Sequence, residues 1–495
     1  MSSDLNDLSL LLDSNVPLLV IESFEEPRVL EMVTRLAVKK ALPFYTWSVT
    51  EGLNRLGFGS GIPAEKNTTD PEQVLRLIKK SSEPGFYVLC DFHPYLKDEP
   101  TNTRLLREIA MHYDRLGHTV VLLSHRLNLP VEVKRHSARF ELSMPDEEQL
   151  MKIVREEAKA WSSKNAGKSV KSDVRTFDKL VSNLKGLSLV DARQLVRGVI
   201  YDDGAIVESD LPEVNKAKFA LMDMEGVLSF EYDTARFSEV GGLEYLKKWL
   251  GDRKDVFLKR DDSSLDAPKG IMLLGIQGSG KSLAAKAVAG MWGTPLLRLD
   301  FGALFNKFFG ETERNLREAL KLADMMAPCV LWLDEIEKGV STGTGDQGIS
   351  QRLLGTLLTW MAERKSLVFM VATSNDISQL PPELVRKGRL DEIFFVDLPD
   401  SSTRELIFQI HLQKRKESID DFDLVKLSDL AEGFSGAEIE QVVVGALYKA
   451  AARDESLDMS HLANAISSTN PLSIVMEEKI SGLRRWAEGR TVFAG

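Results

Sequence analysis

The sequence predicts an α/β protein built from two tandem copies of one plan, a parallel sheet flanked by helices, with the second copy intact and the first degenerate. Three observations carry that expectation. An apolar strand-like run, Gly270-Ile-Met-Leu-Leu, meets the glycine-rich segment 275–282, GIQGSGKS, which opens into the helical pattern Leu283-Ala-Ala-Lys-Ala-Val-Ala. Two further apolar runs, 330–333 and 367–373, end in polar tips, Asp334-Glu335 and Ser374-Asn375. The two halves of the chain also echo each other at an offset of about 250 residues.

Strand, glycine loop and helix in that order turn backbone N–H groups and a helix N-terminus toward a phosphate chain. Gly275, Gly278, Ser279, Gly280, Lys281, Ser282 and Leu283 form that cradle, with Lys281 reaching the outer phosphates and Ser282 ligating Mg²⁺. The ligand expected from these residues is ATP or GTP. About fifty residues later a buried strand delivers Asp334 and Glu335, and strand alternation is expected to aim them apart. Asp334 then holds the metal through water, and Glu335 polarises the attacking water as general base. Asn375, a neutral amide at the tip of the third strand, can orient that water without adding charge. Arg389, with Arg386 as the secondary candidate, precedes the strand 392–396 and can neutralise charge developing in phosphoryl transfer.

Composition bounds the rest. The 495 residues are 43% apolar with a net charge of −11, enough chain for several cores and a balance that argues against a large nucleic-acid footprint. No apolar run approaches ~18 residues, and the opening MSSDLNDLSLLLDSN signals neither export nor membrane insertion. Cys90 and Cys329 both lie in apolar runs, as reduced buried thiols do, so a reducing cytoplasmic-type compartment is expected.

The echo in the first half pairs Leu129-Pro-Val-Glu-Val-Lys-Arg with Leu380-Pro-Pro-Glu-Leu-Val-Arg, Phe140-Glu-Leu-Ser-Met-Pro-Asp with Phe395-Val-Asp-Leu-Pro-Asp, and the segment from Gly186 with that from Gly433. Phe86–Asp91 then falls where the metal-binding strand falls in the second copy. The first strand, Pro17–Ser23, is followed by Phe24-Glu25-Glu26-Pro27-Arg28, which has neither glycine nor a Lys-Ser pair and sets carboxylates where a phosphate would need positive potential. The glycine cluster 57–61 follows the second strand of the copy and reads as a loop.

Taken together, Val240-Gly241-Gly242, GIQGSGKS (Walker A), LWLDE (Walker B), ATSN, RKGRLDE and Gly433-Phe-Ser-Gly-Ala resemble the AAA branch of the AAA+ ATPases over about residues 225–465. The resemblance implies ATP and Mg²⁺ as cofactors, tandem AAA+ modules of P-loop type each with a helical lid, and a homo-hexameric ring. It implies adenine contacts at Val240 and Gly241, lid contacts from Ile407 and His411, and Gly436-Ala437 where other branches carry a sensor arginine. Arg389 matches the trans-acting finger, whereas the position of a second finger arginine is Glu392. The domains expected are 1–145, an α/β domain without nucleotide loop; 146–225, its lid-like helices and linker; 226–400, the nucleotide-binding domain; 401–470, the helical lid; and 471–495, a C-terminal helix and tail.

An inactive front module fused to one intact module resembles, over nearly the whole chain, an ATPase family of cyanobacteria and algal plastid genomes named after a hypothetical chloroplast reading frame. That likeness implies a regulatory role in a photosynthetic organism, in the cytoplasm or the plastid stroma. Three kinds of work fit the residues: remodelling of a protein client, with Phe308 and Phe309 as pore-loop candidates; an ATP-dependent switch or scaffold; and, disfavoured by charge, nucleic-acid remodelling.

Overall fold

The computed structural model describes residues 2–56, 68–125, 127–221, 227–232, 240–258, 265–301, 304, 312–340, 347–377, 380–384, 386 and 388–495. Phe308, Phe309 and the glycine cluster 57–61 lie outside the described residues. The chain divides into two compact units, 1–157 with 186–196, and 158–185 with 197–495.

The first unit is organised by a six-stranded sheet of β1 (Leu18–Glu22), β2 (Phe44–Ser48), β3 (Gly52–Leu56), β4 (Phe86–Cys90), β5 (Thr119–Ser124) and β6 (Ser137–Phe140). Their order is β3-β2-β4-β5-β1-β6, parallel throughout except for the β2–β3 pair. The central strands β1, β4 and β5 are apolar at nearly every position because both faces are covered. Leu18, Val20, Leu89, Val120 and Leu122 enter one core, and Leu19, Ile21, Val88, Val121 and Leu123 enter the other.

In the second unit a short parallel pair, β7 (Lys171–Ser172) and β8 (Ala205–Ile206), precedes a seven-stranded sheet. Its strands are β9 (Leu228–Glu231), β10 (Gly270–Gly275), β11 (Leu296–Leu299), β12 (Cys329–Leu333), β13 (Val368–Ser374), β14 (Glu392–Val396) and β15 (Val492–Phe493), ordered β15-β14-β10-β13-β12-β11-β9. Met272, Leu297, Leu331 and Met370 face one core, and Ile271, Leu273, Val330, Trp332 and Val371 face the other. Four helices, Ser401–Lys414, Leu424–Leu430, Gly436–Ala451 and Met459–Ser467, form a lid around Phe408, Leu412, Leu427, Phe434, Val443 and Leu462.

The repeat seen in the sequence is present in the topology. The series β6-β1-β5-β4-β2 and β14-β10-β13-β12-β11 are the same order, with each module's first strand placed between its fourth and its last. In such sheets ligands gather beyond the carboxyl ends of the strands, beside the first strand, where connections leave in opposite directions. Two edge strands are additions that the sequence did not announce. β9 runs antiparallel to β11, and the C-terminal tail, expected as helix and tail, continues into β15, where Ala494 N–H donates to Phe395 O at 3.0 Å. Cys90 and Cys329 are free and buried, and burial pushes each thiol up to about 12, which leaves them inert at neutral pH. Among the described residues no helix is long and apolar enough to cross a membrane.

Candidate functional site

Everything the glycine loop does follows from what its residues lack. β10 ends at Gly275, where an added Cβ would meet Val396 O at 2.0 Å, so only glycine lets β10 and β14 close up there. Gly278 and Gly280 hold φ of 79° and 94°, conformations that side chains rarely adopt. Gly280 is the N-cap of the helix Lys281–Trp292 and offers no side-chain acceptor, so the first N–H groups of that helix face the loop without a cap. Lys281 is buried, and its Nζ donates to Gly275 O at 3.0 Å and Ile276 O at 2.6 Å. Burial pulls its pKa down to about 8, while Glu337, Glu335 and Asp334 pull the other way. Ser282 and Leu283 are exposed on the first turn of the helix, and Ser279 Oγ donates to Ile276 O at 2.7 Å.

The carboxylates stand opposite. β12 stops at Leu333, so Asp334 and Glu335 occupy a turn rather than the strand, and Glu335 has a left-handed φ of 48°. This corrects the expected cause of their divergence: a backbone turn, not strand alternation, separates the two side chains. Asp334 Oδ2 accepts from Arg298 Nη2 at 3.0 Å and its Oδ1 from Thr373 Oγ1 at 2.8 Å. Glu335 Oε1 accepts from Asn375 Nδ2 at 3.0 Å, and its other oxygen pairs with Lys338. Glu337 Oε1 accepts from Asn375 N–H at 3.0 Å, whereas its buried Oε2 has no hydrogen-bond partner among the described residues.

The lid closes the third side. An added Cβ on Gly241 would meet Ile407 Cγ1 at 2.8 Å, and one on Gly278 would meet Ser435 Oγ at 2.9 Å and Ala437 Cβ at 3.3 Å. Ala437 N–H donates to Gly278 O at 3.1 Å. Val240, Gly241, Ile407, Gly278, Gly436 and Ala437 therefore converge. Ser435 and Glu438 form a capping box that fixes the start of the helix Gly436–Ala451. His411 lies one turn beyond Ile407, with Nδ1 3.3 Å from Arg415 Nη1 and 3.6 Å from Glu440; burial lowers its pKa, with Glu440 opposing. Arg389 is half-buried and donates to Leu358 O within its own chain, and Arg386 is exposed.

Sequence reasoning missed Arg298, Thr373, Glu337 and Glu438. Only the last had a local signal, the Ser-x-x-Glu box at 435–438. Arg298 and Thr373 act through strand register, since Trp332 pairs with Arg298 and Leu333 with Ala372, which brings both beside Asp334, and Glu337 opens the short helix that follows the turn.

The first module carries the same parts differently filled. The helix Glu26–Lys39 starts at Glu25, and Pro27 removes one N–H from its first turn. Glu25 Oε2 accepts from Arg28 Nη1 at 2.8 Å, Arg28 Nη2 donates to Asp4 at 2.8 Å, and Glu25 Oε1 accepts Leu189 N–H at 2.6 Å. Leu189 opens the helix Leu189–Asp203, beside a Ser188–Asp191 cap like that of Ser435–Glu438. In this module a side-chain carboxylate lies where the second module presents its loop.

Residues 4–142 match the model of the SpoVK-like AAA ATPase N-terminal domain and 148–225 that of its second domain. Residues 271–398 match the ATPase family associated with various cellular activities (AAA), and 421–464 the AAA+ lid domain. The chain is similar to the AAA domain-containing protein ycf46 of Guillardia theta, 35% identical over 493 residues, 98% of this chain and 95% of that protein. It is also similar to ycf46 of Pyropia yezoensis, 34% identical and covering 98% of each. Over 252 residues, 48% of this chain and 64% of the relative, it is 37% identical to the proteasome-activating nucleotidase of Saccharolobus islandicus.

Proposed function

The chain belongs to the AAA ATPases with SpoVK-like domains, among the ycf46 proteins, and from that premise we propose that its second module hydrolyses ATP with Mg²⁺ to remodel a protein client within a ring of identical copies. The observation that carries the reading is the convergence of Lys281, the Asp334–Thr373 pair and the Glu335–Asn375 pair around one glycine loop. The residues fit the group they would hold. The Gly275 and Gly278 cradle is one that any Cβ would fill, and the ammonium beside it is held at about 8 by burial, a charge that phosphate would compensate.

Lys281 neutralises the outer phosphates, and the uncapped helix start takes the inner ones. Ser282 and Asp334 would hold Mg²⁺, which supplies charge neutralisation at the phosphate oxygens. Glu335 takes the proton of the attacking water, and Asn375 orients that carboxylate through its 3.0 Å hydrogen bond. Val240, Gly241, Ile407 and His411 take the base, and the start of the helix at Gly436-Ala437 reports on the loop to the lid. Arg389 completes the site of a neighbouring copy, with Arg386 as the second cation. The likeness of the catalytic half to a proteasome-activating nucleotidase favours protein over nucleic acid as the substrate of remodelling, and Phe308 and Phe309 are the residues proposed to grip it. Full-length likeness to ycf46 proteins of algae supports a photosynthetic host, and we place a regulatory role in its stroma or cytoplasm.

The test is a pair of variants with a polypeptide added. Lys281→Ala should lose ATP affinity, while Glu335→Gln should bind ATP with Mg²⁺ yet turn it over at least ~100-fold more slowly. An unfolded model polypeptide should stimulate wild-type turnover and leave Phe308→Ala at its basal rate. Near-normal turnover in Glu335→Gln overturns the base assignment, and absence of stimulation in the wild type overturns remodelling in favour of a switch.

A further inference from the structure

We propose that the front module binds a divalent transition-metal ion through Asp91, His93 and His125. The ligand atoms of these three side chains all lie within 4.8 Å of one another, which is close enough for small side-chain rotations to bring them onto one ion. They come from two strand ends. Asp91 directly follows β4, His93 comes two residues later, and His125 directly follows β5. Asp91 is fixed at its tip by a left-handed φ of 51°, a conformation that Asp tolerates better than most residues, and by its N–H bond to Leu123 O at 2.9 Å.

The imidazoles are set up as ligands usually are. His93 Nδ1 lies 3.2 Å from Ser124 Oγ, a contact that orients the ring and leaves Nε2 for the ion. The rings of His93 and His125 are nearly perpendicular, at 87° with centroids 5.0 Å apart, and His125 also stacks on Phe24 at 5.8 Å. Asp91 and His125 are exposed and His93 half-buried, so solvent reaches the cluster and can complete the coordination. Two nitrogens and one carboxylate oxygen suit Zn²⁺, Co²⁺, Ni²⁺ or Fe²⁺ rather than Mg²⁺ or Ca²⁺, which favour oxygen donors.

Position supplies an independent argument. By strand order β4 and β5 are the counterparts of β12 and β13, so the three residues stand on the sheet edge where the second module carries Asp334, Glu335 and Asn375. An edge selected to hold a ligand in one copy is a preformed place for another ligand in the other copy. This positional argument rests on the proposed nucleotide site, whereas the ligand geometry stands without it, because no residue is shared.

The experiment uses the full-length chain, stripped with chelator and reloaded with Co²⁺ in the absence of nucleotide and in excess Mg²⁺. Wild type should retain one Co²⁺ per chain after gel filtration, with a visible absorption band of histidine-ligated Co²⁺ and a raised melting temperature. The double variant His93→Ala/His125→Ala should lose the band, the retained metal and the thermal shift while keeping ATP turnover. Should the double variant misfold, His125→Gln alone, at an exposed side chain, should shift the band and weaken retention. Equal Co²⁺ uptake by wild type and variants, or no retention by wild type, overturns the proposal.

Discussion

Lys281 joins an ordinary pKa near 10.5 to a site that pulls it to about 8 by burial. The ammonium is the form that meets phosphate, so it is available below pH 8 and is lost as pH rises through that value. Affinity for an ATP analogue should accordingly be flat near neutrality and fall by up to about tenfold per pH unit above 8. Titration with a fluorescent analogue from pH 7 to 9.5 checks this, and a flat profile contradicts it. For the ligand-free fold the same shift has the opposite sign: between 8 and 10.5 the unfolded chain binds the extra proton, so this lysine's contribution to stability rises with pH there. Thr373→Val keeps the shape of a side chain that donates to Asp334 and accepts Glu335 N–H at 3.0 Å. At about 1 kcal/mol per hydrogen bond, turnover should fall roughly tenfold or more with ATP affinity little changed, as steady-state kinetics would show. Lys281, Asp334, Glu335 and Asn375 were legible because a motif announces them by type and spacing. Thr373, Arg298 and Glu337 were not, because nothing in their local sequence says which strand lies beside them.

The helix starts at Gly436 and Leu189 show how one element serves two modules. Each follows a Ser-x-x-acid cap, and each gives a first-turn N–H away, Ala437 to the loop carbonyl of Gly278 and Leu189 to the carboxylate of Glu25. Glu25 is in turn held by Arg28, and Arg28 by Asp4, all buried. Removing the cation leaves two buried carboxylates unmatched, so Arg28→Ala should destabilise the first module by about 3–5 kcal/mol. Urea unfolding followed at the tryptophan Trp47 reads that loss; an unchanged midpoint would count against it. At this scale the long apolar strands and amphipathic helices were legible from their periods. The strands β9 and β15 were not, since a segment of two to four residues carries no period and is placed by the edge it joins. The divergence of Asp334 and Glu335 was expected for the wrong reason: the run 330–333 ends where β12 ends, but the left-handed turn at Glu335 leaves no mark in the residue types.

Among the described residues one phosphate cradle is present, which implies one nucleotide per chain. Calorimetry with a non-hydrolysable ATP analogue should give a stoichiometry near one per chain, and a value near two would contradict the assignment of the first module. If Arg389 serves a neighbouring copy, specific activity should rise with protein concentration, and Arg389→Ala should bind ATP but turn it over slowly. Activity independent of concentration in a monomeric preparation would remove that role. The tandem plan itself was legible only because three weak echoes fell at offsets near 250; the common strand order is its physical basis. The contact between Glu25 and Leu189 has a further consequence. The loop whose Gly278 carbonyl meets Ala437 N–H would hold a phosphate that is cleaved and departs, whereas Glu25 is tethered by its own backbone and can do neither. That joint has no fuel-gated degree of freedom, so amide exchange at Leu189 should be indifferent to ATP while exchange at Ala437 follows it. On that outcome each chain keeps time with a single clock.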